Sequence, residues 1–429
     1  MSRLPESWVQ TLKCRTGRIA ILTGNHLCNN PRVIKEATTL AKRGYVVSVL
    51  GAWLDASLAK RDRELTRTLP FEFKPVLDSG RRHSGALVPR VRAKLGSIAQ
   101  RTLGYQNPWQ LGYAYPNLLR AALRESADLF IAHSEQAMAV AVRLWRSGRN
   151  VAVDMEDWYS RDLLPEATRY RPVALIERLE RELLSKGCLG LCPSQAMADA
   201  LSATYGCARP TPIYNAFPWQ DRERIDGKFK DRQDRSLPSL HWFSQTLGPG
   251  RGLDVLIRAL PKVRHRAELH LRGQPTIGFR RWLETNLPAS WLGSIFLHDP
   301  VPNDELLSRI SEHDIGLACE QPFCDSRDLT VTNKILQYLQ AGLAVVASDT
   351  KGQCEVARVA SGAVHLYQAR DSLSLAVHLN ALLSDSALLA SSKQAALLAA
   401  KETFCWEAQA GKLLEIYADA LGRIRSEPA

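Results

Sequence analysis

The chain has 429 residues, of which 45% are hydrophobic and 23% are charged, and its formal net charge is +12. This length is typical of two or three domains, and the composition excludes a largely disordered chain. The unbroken apolar runs are much shorter than the roughly 20 residues of a membrane span.

The segment 1–17 lacks the apolar core of a secretion signal, and the nine cysteines are scattered along the chain. The closest pair, Cys188 and Cys192, is four positions apart, and no second pair has this spacing. Because structural zinc sites usually need a second pair, this pattern favours reduced thiols and predicts no metal site. We therefore expect a cytoplasmic protein that begins with a short N-terminal extension, 1–17.

The positive charge is concentrated in residues 79–124, which contain no acidic residue. The basic residues of this segment are Arg81, Arg82, Arg90, Arg92, Lys94, Arg101, Arg120 and Arg124. Apolar residues recur between them at helical spacing, at Val88, Val91, Leu95 and Ile98. A basic amphipathic helix is typical of proteins that bind an anionic membrane surface. A solvated face over an ordinary core is the open alternative, and the absence of a recognition motif argues against nucleic acid.

The N-terminal half alternates apolar strands with helices. The first unit is a strand at 18–23, a loop at 24–31, a helix that ends at Gly44 and a strand at 46–50. Further strands are predicted at 128–132, 151–154 and 190–192, with helices at 135–147, around 175–183 and at 195–204. This order predicts a parallel sheet with right-handed crossovers in a domain spanning 18–219.

Residues 220–238 hold six basic and five acidic residues and almost no apolar ones. We therefore predict a charged, solvated linker there. A second alternation of strands and helices follows and predicts another doubly wound domain at 239–404. A C-terminal helix within 405–429 could return to the N-terminal domain.

Several segments, within a match that covers about residues 18–420, resemble the GT-B glycosyltransferases, and most of all the retaining glycosyltransferases of family 4. Residues 243–254 (FSQTLGPGRGLD) are similar to the first strand, loop and helix of the C-terminal domain of that family. Residues 332–349 (TNKILQYLQAGLAVVASD) are similar to its donor-binding helix and the strand that follows. Segments 194–198, 213–216 and 301–306 match in order and spacing.

The resemblance implies an α/β fold of GT-B architecture, with two Rossmann-like domains that face each other across a crevice. It implies transfer of a sugar from a nucleotide diphosphate sugar to a hydroxyl acceptor, with retention and without an obligatory cofactor or metal. The sequence departs from the family at two glutamate positions, which fall on Leu329 and Gln337. The usual Arg of the first C-terminal loop is replaced near Ser244-Gln245, and the usual Lys by Arg251.

The donor would bind to two motifs of the C-terminal domain. Glycines at 248–252 let backbone amides approach a phosphate, and the helix that begins near Thr332 offers its N-terminal amides. Arg251 and Lys334 would stabilise the departing diphosphate as catalytic residues. The predicted donor-binding residues are Gly24, Ser244, Gln245, Gly250, Gly252, Glu320, Thr332, Asn333 and Gln337. A plain flexible turn and a capped surface helix remain the alternatives.

The acceptor would bind to the N-terminal domain. His133 ends a predicted strand at the sheet edge where ligands bind, and the resemblance implies a catalytic contact with the transferred sugar. Asp154, Glu156 and Asp157 follow the next strand and could orient an acceptor hydroxyl or act as a base. A packed, hydrogen-bonded histidine and a solvated acidic loop are the alternatives.

We therefore predict a glycosyltransferase of the hexosyltransferase type, acting in glycan, polysaccharide or glycolipid synthesis. The acceptor could be lipid-linked or anionic, and segment 79–124 could place the enzyme at the inner face of a membrane. Two alternatives stay open, a sugar-nucleotide epimerase of the same fold and a non-catalytic protein that binds nucleotide sugars.

Overall fold

The structure is a computed structural model, and it describes residues 17–79, 106–164, 171–232, 235–248 and 251–426. Most of the basic segment, including the amphipathic pattern from Val88 to Ile98, lies outside these residues. Gly250 also lies outside them.

The N-terminal domain is built on a seven-stranded parallel sheet in the order β3-β2-β1-β4-β5-β6-β7. Its strands are β1 (Arg18–Leu22), β2 (Val46–Trp53), β3 (Glu72–Asp78), β4 (Leu129–Ala132), β5 (Val151–Asp154), β6 (Leu189–Cys192) and β7 (Thr211–Pro212). Its helices are α1 (Pro31–Lys42), α2 (Ala56–Thr66), α3 (Tyr115–Arg124), α4 (Glu135–Trp145), α5 (Val173–Lys186) and α6 (Gln195–Tyr205).

The C-terminal domain is built on a six-stranded parallel sheet in the order β10-β9-β8-β11-β12-β13. Its strands are β8 (Ser239–Leu247), β9 (Glu268–Pro275), β10 (Ile295–His298), β11 (Ile315–Ala318), β12 (Ala344–Ser348) and β13 (Val364–Tyr367). Its helices are α7 (Leu253–Ala259), α8 (Phe279–Asn286), α9 (Asn303–Ile310), α10 (Asp325–Leu329), α11 (Asn333–Ala341), α12 (Lys351–Val359), α13 (Ser372–Ser384) and α14 (Ser386–Glu402).

The two sheets confirm the predicted pair of doubly wound α/β domains. In each sheet the winding direction reverses once, between β1 and β4 in the first and between β8 and β11 in the second. Ligands of open parallel sheets bind at the carboxyl ends of the strands beside such a reversal. The loops after these four strands are therefore the places to look for a site.

The sequence pattern missed several elements, among them α2, β3 and β13. Strand β3 lies at the edge of its sheet, contains Pro75 and buries only Leu77 fully. An edge strand of this kind needs little apolar sequence, so its hydrophobic signal is weak. The apolar pattern predicts the first strand of the second domain at 240–244, but β8 continues past Ser244 to Leu247.

The segment 220–238 is not solvated throughout, which corrects one part of the sequence interpretation. Arg232 is only 3% exposed and donates to Asp314 at 3.0 Å, and Asp226 accepts from Arg309 at 2.6 Å. Asp231 forms an ion pair with Arg272. The charges of this segment therefore hold it against the C-terminal domain.

The last helix, α15 (Trp406–Ser426), packs on the N-terminal domain rather than on the domain that precedes it. Its apolar face joins the core around β1, with Trp406, Leu413, Tyr417 and Leu421 buried beside Ile19. Helix α15 thus covers α1 and brings the end of the chain close to the first strand.

Within the described residues, no single helix has both the length and the apolar content that a membrane span requires. Helices α13 and α14 reach that composition only as a pair, across a bend of 103°.

Candidate active site between the two domains

The C-terminal wall of the site carries a lysine at the start of α11. The ammonium group of Lys334 forms an ion pair with the carboxylate of Glu320, which follows β11. It also lies 5.1 Å from the ring centroid of Trp242, a fully buried residue of β8. The cation is therefore held where β8 and β11 end, beside the reversal of the sheet.

Arg251 lies at the rim of this wall. Its Nη1 donates to the hydroxyl of Ser244 at 2.7 Å. Ser244 and Gln245 fall where the pairing of β8 with β9 shifts register, between Phe243 and Thr246. The irregular strand end places these two predicted donor residues beside Arg251.

The turn that carries Arg251 depends on Gly252. This glycine has a φ of +80°, and a Cβ on it would lie 1.9 Å from the carbonyl oxygen of Cys319. Only glycine permits both this conformation and so close an approach to the end of β11. Gly252, which is predicted to bind phosphate, therefore also has a structural role. It lets the turn with Arg251 approach the end of β11, on the side of Lys334.

Helix α11 gathers the other predicted donor residues. Thr332 precedes its first turn, Asn333 begins it, and Gln337 follows one turn later with 8% exposure. The first amides of a helix have no partner within it and can bind an anion. Asn333 also accepts a 3.2 Å hydrogen bond from Asn215, a residue of the N-terminal domain.

Leu329 occupies one of the two positions where the family usually has a glutamate. Its side chain is 5% exposed and packs into the core of the N-terminal domain. Its carbonyl oxygen accepts a 2.6 Å hydrogen bond from the hydroxyl of Ser194. This position therefore joins the two domains and is closed to a sugar.

His133 lies at the centre of the N-terminal wall but is fully enclosed. Its Nε2 is 2.7 Å from a carboxylate oxygen of Glu36, and its Nδ1 is 2.8 Å from one of Glu156. Burial opposes protonation, but Glu36 and Glu156 outweigh it and raise the pKa of His133 well above the ordinary value. The imidazolium has no exposed surface. This enclosure corrects the expectation of direct contact with the sugar.

Asp154 is also buried, because it forms an ion pair with Arg32 of α1. The Nε of Arg32 donates to Asp154 at 2.6 Å, and its Nη1 donates to the carbonyl oxygen of Ile213 at 2.7 Å. Burial disfavours the charged guanidinium, but Asp154 raises the pKa of Arg32 above its ordinary value. Asp154 therefore stabilises the wall as a buried residue paired with Arg32.

Glu156 is the carboxylate that reaches the crevice. Its Oε1 accepts from His133 at 2.8 Å and from the Nδ2 of Asn30 at 3.0 Å. Among the described residues, none hydrogen-bonds its Oε2, and the side chain is 23% exposed. One oxygen is thus anchored while the other can accept a bond from a ligand.

Asp157 faces the C-terminal domain. Burial and the neighbouring carboxylate of Asp162 raise the pKa of Asp157 to about 7. Arg327 of α10 lies 3.6 Å from Asp162. Burial disfavours its charge, but Asp162, and to a smaller extent Asp157 and Glu320, raise the pKa of Arg327 above its ordinary value. Arg327 therefore interacts with acidic groups of both domains.

The loop after β1 is held by hydrogen bonds within the N-terminal domain. Gly24 has its N–H bonded to Leu50 and its carbonyl to Gln136. Further along the loop, His26 accepts from the backbone of Leu54 and contacts the buried carboxylate of Asp62. The backbone polar groups of Gly24 are thus engaged within the fold.

Sequence reasoning missed the charged residues of α1. Arg32 and Glu36 are buried on the helix face that also carries Val33, Ala37 and Leu40. Two charges one turn apart on an apolar face are unusual, and this pattern was an available signal. Arg327 and Tyr417 gave no comparable signal, because their partners are distant in sequence.

Glu36, His133 and Asp154 have ligand atoms within 4.8 Å of one another, a spacing that could suit a metal ion. However, the guanidinium of Arg32 already contacts Asp154 and would repel a second cation. Arg32 and His133 supply the positive charge of this cluster, and we assign no metal to it.

The comparisons with known proteins agree with this architecture. Residues 240–385 match the family model described as glycosyl transferases group 1. No curated protein sequence matches the chain. This family match confirms the expected class, a glycosyltransferase, for the C-terminal domain.

Solved structures resemble the chain over almost its whole length. HepE from Anabaena in complex with UDP is 16% identical, covers 94% of this chain and 100% of its own, and has a TM-score of 0.62. A glycosyltransferase from Rickettsia africae is 13% identical over 95% and 99%, with a TM-score of 0.64. Sucrose-phosphate synthase from Thermosynechococcus elongatus is 12% identical over 95% and 100%, with a TM-score of 0.67. The chain therefore has the GT-B fold, with a group 1 glycosyltransferase domain at residues 240–385.

Gly252→Ala should destabilise the protein strongly, because the new Cβ would overlap the carbonyl of Cys319. Gly278→Ala is the matched control, since Gly278 also precedes a helix with a φ of +81° but has open space around its Cβ position. The left-handed conformation alone should cost about 1 kcal/mol in Gly278→Ala, and the added overlap should bring Gly252→Ala to about 3 kcal/mol or more. Denaturant unfolding measures both, and equal losses would contradict the close approach.

Proposed function

We propose that the protein transfers a sugar from a nucleoside diphosphate sugar to a hydroxyl acceptor. The observation that carries the proposal is the pairing of a cationic wall with an acidic one across the crevice. Lys334 and Arg251 lie on the C-terminal side, and Glu156 presents a carboxylate oxygen on the N-terminal side. Both walls stand beside the points where their sheets reverse direction.

The leaving group of this reaction is a nucleoside diphosphate, which gains negative charge as the glycosidic bond breaks. Lys334, Arg251 and the first amides of α11 are positioned to stabilise that charge. Gln337, one turn further along α11, can hydrogen-bond the ribose. Because HepE was crystallised with UDP and with UDP-glucose, UDP sugars are the first donors to test.

The acceptor hydroxyl would donate to the open oxygen of Glu156. Asp157, whose pKa is raised to about 7, is a second group on this wall that could exchange a proton near neutral pH. As the family resemblance implies, we propose that the transferred sugar retains its anomeric configuration. Proton NMR of the first product anomer would show retention or inversion directly.

Arg251→Ala and Lys334→Ala should each weaken the binding of a nucleoside diphosphate by roughly 10- to 150-fold, the effect of losing one charge-assisted bond to phosphate. The measurement is calorimetry with UDP, GDP and ADP, followed by an assay of nucleotide release with and without acceptor sugars. Arg258→Ala is the matched control, because Arg258 lies on the neighbouring α7 and pairs only at the surface, with Asp254 at 3.1 Å. Wild-type affinity in both site variants would remove this donor assignment.

Glu156→Gln should lower turnover by about tenfold or more while leaving nucleotide affinity unchanged, because the acceptor loses its charged hydrogen-bond partner. Glu182→Gln serves as the control, since Glu182 forms a surface pair with Arg146 away from the crevice. Single-turnover rates with a UDP sugar would separate chemistry from binding. A loss of nucleotide affinity in Glu156→Gln would contradict the division of tasks between the domains.

We also propose that the enzyme works at an anionic membrane surface on a lipid-linked acceptor, in the synthesis of a glycan, polysaccharide or glycolipid. The described end of the basic segment supports this role. On α3 the side chains of Arg120, Leu123 and Arg124 are exposed, with Leu123 at 49%. Trp109 and Tyr113, just before this helix, are 44% and 46% exposed. Exposed cations beside apolar and aromatic groups suit a lipid surface.

Replacing Arg120 and Arg124 with Gln should weaken sedimentation with anionic vesicles, since each cation near such a surface contributes about 1 kcal/mol. The control replaces Arg280 and Arg281, two exposed residues of α8, and changes the net charge by the same amount. Vesicles of neutral lipid and a rise in salt should both abolish binding. Equal sedimentation with neutral and anionic vesicles, or none with either, would exclude the membrane role.

A further inference from the structure

A line of side chains connects the C-terminal helix with the crevice. The hydroxyl of Tyr417 donates to Oε1 of Glu36, and Oε2 of Glu36 lies 2.7 Å from Nε2 of His133. Nδ1 of His133 lies 2.8 Å from Oε1 of Glu156. Tyr417, Glu36 and His133 are at most 2% exposed, whereas Glu156 opens to the crevice.

Packing alone does not account for these polar groups. The ring of Tyr417 sits in the apolar core between α15 and β1, where a phenylalanine would fill the same space. Buried ion pairs contribute little net stability, because the loss of hydration offsets most of the attraction. A tyrosine hydroxyl, a carboxylate and an imidazolium in this core therefore point to a role in holding a geometry.

The contacts fix the orientation of each group in turn. The bond from Tyr417 fixes the carboxylate of Glu36, so that its other oxygen faces His133. Nε2 of His133 and Oε2 of Glu36 lie 2.7 Å apart, so the protonated ring and the carboxylate form a buried ion pair. With both ring nitrogens facing carboxylates, the imidazolium cannot turn without losing one of them, and Glu156 is held at Oε1.

Other charged groups around the ring support the same arrangement. Asp154 of β5 lies 3.9 Å from Nδ1 of His133, and Arg32 of α1 neutralises Asp154. Asn30 adds a second donor to Oε1 of Glu156. Glu156 is thus held at Oε1 by His133 and Asn30, while none of the described residues hydrogen-bonds Oε2.

We propose that Tyr417 and Glu36 are positioning residues for the acceptor, which act through His133 to hold Glu156 in its productive orientation. The acceptor role of Glu156 rests on the proposed function, whereas the line of contacts does not. The helix that ends the chain would thereby belong to the active site, although it touches neither substrate.

The test is Tyr417→Phe, which keeps the ring and removes the hydroxyl. Turnover should fall by about tenfold, the effect of one lost hydrogen bond to a charged group. The KM for the sugar donor should stay unchanged. Without its donor, the carboxylate of Glu36 is no longer fixed towards His133 and should stabilise the charged ring less, so that His133 titrates at lower pH in histidine NMR spectra. Glu36→Gln should produce the same changes to a larger extent.

Thr39→Val is the matched control. The indole Nε1 of Trp406 donates to the hydroxyl of Thr39 at 2.9 Å, so this bond joins the same two helices, α1 and α15, without reaching His133. We expect Thr39→Val to lower thermal stability and to leave turnover and the titration of His133 unchanged. Equal effects of Thr39→Val and Tyr417→Phe on turnover would show that only helix packing matters and would overturn the proposal.

The titration of His133 separates this inference from the proposed function. If the wild-type protein transfers no sugar, the proposed function fails. Even then, an unchanged titration of His133 in Tyr417→Phe and Glu36→Gln would overturn the line of contacts. If transfer occurs and the titration shifts while turnover stays at the wild-type rate, the contacts exist but do not position Glu156, and the proposal fails.

Discussion

The N-terminal wall of the crevice depends on the ionic contact between His133 and Glu36. Each charge lies in a space closed to water, where an unpaired ion would cost several kcal/mol. The pair is therefore stable only while both partners and their further contacts are in place. The pair therefore requires contacts from three parts of the chain, which are α1, the end of β4 and α15. The geometry of the wall is thus set more by the need to pair buried charges than by the shape of the apolar core.

Specific contacts join the two domains beside the crevice. Leu329 packs into the core of the N-terminal domain, and the carboxylate of Glu355 accepts from the first amides of α6, at 3.0 and 2.9 Å. A carboxylate at a helix N-terminus satisfies amides that the helix itself leaves open and opposes the positive end of the helix dipole. Leu329 lies shortly before α11, the helix with Lys334, and Glu355 lies in α12, the next helix along the chain. A change in the angle between the domains would therefore move the donor wall relative to Glu156.

The sequence alone predicts most of the architecture, because strands and helices alternate with clear periodicity and long apolar strands are easily recognised. It fails at the edge strand β3, where Pro75 and partial exposure leave little pattern. In the site, local motifs correctly bring Arg251 close to Ser244 and place Lys334 at a helix start. The tasks of His133 and Leu329 could not be read from the pattern, since both depend on partners far away in the chain. The ion pair of His133 with Glu36 spans 97 positions, and a periodic pattern reports neighbours only within a few turns.

The ion pair between Lys334 and Glu320 also bears on the proposed donor site. An unpaired ammonium group in this partly buried place would lose hydration without compensation, and Glu320 supplies that compensation. A diphosphate brings more negative charge than one carboxylate, so it can displace Glu320 from Lys334 without leaving the lysine unpaired. In the proposed site, the released carboxylate would then offer two strong acceptors to the hydroxyls of the donor sugar. Lys334 would thus exchange one anionic partner for another, and Arg327, which interacts with the charges of Asp162, Asp157 and Glu320, would limit the repulsion among these carboxylates.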